Sequence, residues 1–177
     1  MFEPKTIYTQ LALETIIAII HGETLDASHE IQIDEKLKLQ RACFVSLHLL
    51  NGDLRGCIGT IKPTEENLFH EIIRNAEAAC SRDPRFDPLE IAELDSIEIS
   101  VDVLSLPEEI IDISELDIRK YGVIVSDGPY RRGVLLPDIP SIKSVDEQLK
   151  IVKRKAGINQ KSLKGLKIER FTSTRYH

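Results

Sequence analysis

Apolar residues recur along the chain at two spacings, one helical and one alternating. Between Pro4 and Gly22, Ile7, Leu11, Ala18 and neighbouring isoleucines return at helical intervals. Pro4 suits a first turn and Gly22 a stop, so a helix is expected there. Residues 23–33 are polar and irregular, and Asp34 to Leu39 read as a short helical turn. Cys43 to Leu50 and Leu54 to Ile61 are apolar runs of strand length. They flank Asn51-Gly52, a dipeptide suited to a tight hairpin. A two-residue loop there sets His48 opposite Arg55 and Ser46 opposite Cys57. Pleating then gathers Val45, Leu47, Leu49, Leu54, Gly56 and Ile58 on one face, and Phe44, Ser46, His48, Arg55, Cys57 and Gly59 on the other.

Further along, Leu68, Phe69, Ile72, Ile73, Ala76, Ala79 and Cys80 trace an apolar stripe, predicting a helix over about 65–80. Asp87, Pro88 and Glu90 have the spacing of a cap, first position and capping-box partner for a short helix. Ile97, Ile99, Val101 and Val103 alternate with polar residues as in a half-buried strand. Gly122 to Ser126 and Arg132 to Leu136 form two more strands around an Asp127-Gly128-Pro129 turn. Ser144 and Glu147 open a last helix that Gly157 stops, and Lys167 to Phe171 returns as a strand. The expected fold is α+β: a mainly antiparallel or mixed sheet of about five strands flanked by helices, with a smaller helical lobe. The larger lobe is expected over about 1–25 and 40–140, and the smaller over 26–39 and 141–165.

Composition narrows the function class. The 177 residues carry 23 Lys/Arg against 29 Asp/Glu, a formal net charge of −6. That balance argues against an extended nucleic-acid footprint and leaves a local basic patch open. The three cysteines are odd in number and no signal-peptide pattern precedes them, so reduced thiols and a cytoplasmic location are expected. The longest strongly apolar run, Ile16 to Ile20, is too short for a membrane span. No metal-ligand spacing is present, and neither a metal nor another cofactor is expected.

Cys57 is the leading chemical candidate, because a thiol is activated by nearby cations and a base. Arg55 stands two residues away and His48 lies diagonally across the hairpin. Cys57 as nucleophile, His48 as base and Arg55 as clamp for substrate charge would make a catalytic set. An equally simple reading buries Cys57 as a small hydrophobe and pairs Arg55 with an internal carboxylate. Gly56 and Gly59 leave room for a ligand or for close backbone packing. Ser46 shares the Cys57 face. Arg82, Asp83 and Arg85, held between prolines, could extend an anion pocket or form a structural corner. Tyr130, Arg131 and Arg132 could stack a planar ligand, although such turns are common.

The segment Leu54-Arg55-Gly56-Cys57-Ile58-Gly59 resembles the signature of the AMMECR domain family, named for the Alport syndrome, midface hypoplasia and elliptocytosis chromosomal region. The likeness continues, in order, through Asp83-Pro84-Arg85-Phe86, Tyr121 to Val125, Arg132 to Pro137, and Lys155-Ala156-Gly157. By that resemblance the whole chain, 1–177, is a single such domain, and the resemblance implies a larger lobe with an antiparallel sheet, a smaller helical lobe and a cleft between them. Members are also called AmmeMemoRadiSam system protein A, which implies gene-level company with a MEMO-type protein and a radical S-adenosylmethionine protein. The resemblance implies no settled reaction. Asp138 stands where members often have glutamine and Lys153 where they often have cysteine, and the chain has no tryptophan.

Three functions follow as expectations. The first is a ligand- or partner-binding protein working with a modification pathway, its site centred on residues 54–59. The second is an enzyme using Cys57 on a small anionic or peptide substrate. RNA binding ranks third, because net charge makes a nucleic-acid partner less favourable.

Overall fold

The computed structural model describes residues 2–25 and 34–177. Residues 26–33 of the expected smaller lobe lie outside the described residues. The architecture is α+β, with eight strands in two four-stranded sheets and three α-helices among the described residues. By contacts the chain divides into two compact units, Met1–Val103 with Thr174–His177, and Leu104–Ser173. These boundaries differ from those expected, because Lys167–Phe171 pairs with a strand some 45 residues upstream and closes a second sheet.

The first unit opens with α1 (Ile7–Ile20), capped by Thr6 in a reciprocal pair with Thr9. Pro4 therefore precedes the helix instead of sitting in its first turn. Strands β1 (Cys43–Leu49), β2 (Leu54–Gly59) and β3 (Ile97–Leu104) follow, and β8 (Ser173–Tyr176) completes the order β2-β1-β3-β8. β1 is antiparallel to both β2 and β3, and β2 is an edge. Helix α2 (Leu68–Ser81) starts at an Asn67 cap and packs its apolar stripe on β1, β2 and α1. Ile16, Leu47, Ile72 and Ile99 are fully buried between these layers.

The hairpin corrects the expected register. Leu49 N–H donates to the Asp53 carbonyl at 2.8 Å, and the Leu49 carbonyl accepts from Gly52 N–H at 2.8 Å, with Gly52 at φ 89. The loop therefore has three residues, closed by a left-handed glycine. One residue too many enters β2, and a bulge absorbs it. Ser46 faces Cys57 as expected, but His48 pairs with Leu54, and Arg55 is left in the irregularity between them.

In the second unit, β4 (Glu108–Glu109), β5 (Gly122–Asp127), β6 (Arg131–Leu135) and β7 (Lys167–Phe171) form a sheet in the order β4-β7-β5-β6. Helix α3 (Val145–Lys155) lays Leu149 and Val152 on β5 and β6. A Cβ at Gly133 would lie 2.2 Å from the Val152 carbonyl oxygen, so only glycine allows this approach. The helix expected after Asp87 begins later, as a 3-10 segment Ile91–Ser96 with Glu90 and Glu93 as its reciprocal cap.

Candidate functional site

The residues singled out in β2 and in the 82–87 turn meet in the first unit. β2 is an edge, so the backbone of Cys57 on its free side needs partners from outside the sheet. The turn supplies them. Cys57 N–H donates to Asp83 Oδ2 at 2.9 Å, and the Cys57 carbonyl accepts from Arg85 Nη2 at 3.1 Å. Asp83 and Arg85 thereby take the place of a neighbouring strand at that position.

Asp83 organises this corner. It is 4% exposed and accepts from Arg85 Nε at 2.9 Å, from Nη2 at 2.6 Å and from the Arg85 backbone N–H at 3.1 Å. The Arg85 guanidinium, with help from the backbone donors, holds the Asp83 carboxyl far below the usual carboxylate range. Arg85 is pushed up in turn, first by its bond to Asp83, with the Cys57 thiol contributing. Its side chain is half-exposed.

On the sheet face, the Ser46 hydroxyl donates to Cys57 Sγ at 3.2 Å. Ser46 also faces Ser100 on β3, whose buried Oγ lacks a hydrogen-bond partner. Cys57 is half-buried, whereas Cys43 and Cys80 are buried. Burial pushes the Cys43 thiol up to about 12 and the Cys80 thiol up to about 11, so neither is a nucleophile at neutral pH.

His48 does not complete a catalytic pair. It lies two residues from Ser46 along β1, but no hydrogen bond joins it to the thiol among the described residues. Burial lowers its pKa, and Arg175 lowers it further against the opposing pull of Glu98 and Asp102, so the ring is neutral near pH 7.

Arg55 is engaged internally. Nε and Nη2 meet the two Glu93 carboxylate oxygens at 2.7 and 2.9 Å, and Nη1 donates to the Asp87 carbonyl at 3.1 Å. The fork is occupied in the bidentate geometry that a ligand carboxylate would need. Arg55 thus clamps residues 87–93 to the bulge, and Glu93 is held below its usual range, chiefly by that bond. Arg82 pairs with Glu77 at 3.2 Å. Tyr130 is 95% exposed, and Arg131 and Arg132 pair with Asp127 and Glu169.

Packing explains the two glycines. A Cβ on Gly56 would lie 2.3 Å from the Ala79 carbonyl oxygen of α2, and one on Gly59 would lie 2.3 Å from the Phe44 ring. Neither glycine opens space for a ligand. The open space lies beside them, in a depression of about 430 Å³ lined by Arg55, Pro84, Arg85, Phe86 and Asp87. The Arg55 and Arg85 guanidinium carbons lie 5.9 and 5.4 Å from the Phe86 ring centre.

Sequence reasoning missed two contributors. The signal for Glu93 was its place three residues after Glu90, the spacing of a capping box. Glu71 is fully buried and accepts from Thr64 and Glu65 N–H, each at 2.8 Å, and from the Thr60 hydroxyl. Its signal was a lone carboxylate within the apolar stripe, three residues after Leu68.

Among the described residues, no group of His, Cys, Asp or Glu is arranged to hold a metal ion, and no helix is long and apolar enough to cross a membrane. The AMMECR1 family model matches residues 9–176. A protein of Thermotoga maritima is 47% identical over 170 residues, covering 96% of each chain. A protein of Clostridium acetobutylicum is 43% identical over 175 residues, but this chain spans only 36% of its length. The crystal structure of the uncharacterized protein PH0010 from Pyrococcus horikoshii superposes with a TM-score of 0.84 at 26% identity, covering 98% of this chain and 92% of that one.

Proposed function

The chain belongs to the AMMECR1 family, and we propose that it is a cytoplasmic binding protein taking a carboxylate- or phosphate-bearing group at the corner where the 82–87 turn meets β2. The half-exposed guanidinium of Arg85 carries this reading. A guanidinium fixed by a buried carboxylate and lining an open depression is pre-organised to receive an anion. Arg55 shapes the floor of the depression instead of gripping the ligand. The bound group is a small anion or a peptide side chain of the same chemistry. Resemblance to the AmmeMemoRadiSam proteins adds a MEMO-type protein and a radical S-adenosylmethionine protein as partners in a modification pathway.

Calorimetric titration with inorganic phosphate and with succinate tests the reading. Saturable binding of either is expected, lost in Arg85→Gln and kept in Arg82→Gln. No saturable binding of either anion into the millimolar range, or binding unchanged in Arg85→Gln, would refute it.

A second reading has the Cys57 thiol attacking an acyl carbon of the bound group, forming a thioester as the carbon's leaving group departs with the thiol proton. The Ser46 hydroxyl donates to Sγ, and Asp83 and Arg85 fix the backbone of the half-buried Cys57 beside the depression. Under native conditions iodoacetamide is then expected to label Cys57 alone, more slowly in Ser46→Ala and Arg85→Gln. Labelling of Cys57 only on unfolding would remove the covalent step.

A further inference from the structure

Charge is distributed unevenly along this acidic chain. Residues 1–140 hold 13 Lys/Arg against 26 Asp/Glu, whereas residues 141–177 hold ten against three. Between Glu147 and Glu169 there are seven Lys/Arg and no carboxylate side chain. Lys167 is paired with Glu109 and Glu169. Lys150, Arg154, Lys155, Lys161 and Lys164 are exposed, and their side chains have no hydrogen-bond or ion-pair partner among the described residues.

The local fold collects these cations on the second unit. Helix α3 turns Leu149 and Val152 inward, which leaves Lys150 and Arg154, one turn apart, outward. Gly157 at φ 67 then reverses the chain. Ile158 N–H donates to the Lys153 carbonyl at 2.9 Å and Gly157 N–H to the Arg154 carbonyl at 3.1 Å. The Lys153 ammonium reaches the Gln160 and Lys161 carbonyls at 3.2 and 3.1 Å, and the Gln160 amide donates to the Ser162 and Lys164 carbonyls, each at 3.2 Å. The loop carrying Lys161 and Lys164 is thereby tied back to the end of α3. Compensation of the helix dipole accounts for Lys153, Arg154 and Lys155 in the last turn. It accounts neither for Lys150, a turn earlier, nor for Lys161 and Lys164 beyond the helix.

We propose that this surface binds the phosphodiester backbone of a nucleic acid through charge, without reading its bases. The exposed residues between the cations are Gly157, Asn159, Gln160, Ser162 and Gly165. Residues 148–168 contain no aromatic side chain. The surface therefore lacks the aromatic anchors of a protein interface core and the stacking platforms of base recognition. Unpaired lysines with small hydrogen-bonding residues match the polar, strongly positive character of backbone contacts. The net charge of −6 conceals this patch because the first 140 residues outweigh it.

Fluorescence anisotropy with labelled single-stranded RNA and DNA of about 20 nucleotides, at about 50 mM salt, reads this directly. Binding to at least one strand is expected, with log affinity falling linearly against log salt. The triple variant Arg154→Gln/Lys161→Gln/Lys164→Gln should weaken binding about tenfold or more and flatten the salt slope by about 2. All three side chains are exposed, so the melting temperature should be retained; Lys62→Gln, in the first unit, should bind as wild type. No binding to either strand, or a triple variant with wild-type affinity and slope, would overturn the proposal. Equal competition by a polyglutamate peptide, or binding only to phosphatidylserine vesicles, would also overturn it by assigning the surface to another polyanion.

Discussion

A half-buried thiol at a sheet edge is ordinary until its backbone partners are considered. Cys57 offers an N–H and a carbonyl on the side where β2 has no neighbour, and Asp83 and Arg85 satisfy both. Asp83 is the less replaceable, since it receives the Cys57 N–H and three Arg85 donors while excluded from water. Asp83→Asn keeps the shape but turns amide hydrogens toward a guanidinium, and should cost about 2 kcal/mol once the exposure of Arg85 is discounted. Denaturant unfolding at neutral pH measures that loss. The acid limb carries the same signature. Asp83 and Glu93 both titrate lower in the fold than in the open chain, so their contribution is complete above the unfolded carboxylate range. It is lost as pH falls through the folded values. The melting temperature should hold from pH 8 to 5 and fall below about pH 4, less steeply in Asp83→Asn. A melting temperature flat to pH 2 would contradict this assignment.

At the scale of elements, pattern and turn chemistry located most of the structure. Apolar spacing marked α1 and α2, a capping box and a glycine stop marked α3, alternation marked β3, and apolar runs beside turn residues marked β1, β2, β5 and β6, because these signals are local. The register near the turn was not legible. Asn51-Gly52 fits either a two- or a three-residue loop, and the choice moves Arg55 from opposite His48 into a bulge. That shift commits Arg55 to Glu93. The two glycines of β2 are explained by element packing, as Gly56 lets the Ala79 carbonyl of α2 approach the strand. Gly56→Ala should destabilise by about 1–3 kcal/mol through this overpacking, and Gly52→Ala through its left-handed backbone instead. Urea unfolding of both variants separates the two. An unchanged midpoint for Gly56→Ala would show that α2 can yield.

For the molecule as a whole, composition was a poorer guide than arrangement. Lys167 to Phe171 is a strand as expected, but its pairing with β4 and β5, as in Glu108 with Arg170, joins segments far apart in sequence, which no local pattern encodes; β4 and β8 were not expected at all. The expected smaller lobe was drawn at 26–39 and 141–165 and the larger at 1–25 and 40–140, whereas contacts divide the chain at Val103 and Leu104. The candidate site was half legible. Cys57, Ser46, Asp83 and Arg85 come together, while Arg82 pairs with Glu77, no hydrogen bond joins His48 to the thiol among the described residues, and Arg55 serves as a strut. An anion-binding corner on Arg85 is the claim from which the functional reading follows. Following the arginine side-chain N–H resonances by NMR during a phosphate titration tests it most directly: the Arg85 signals should shift and saturate while those of Arg55 stay in place. A titration that leaves Arg85 unmoved, or moves every arginine in proportion to added salt, would contradict it.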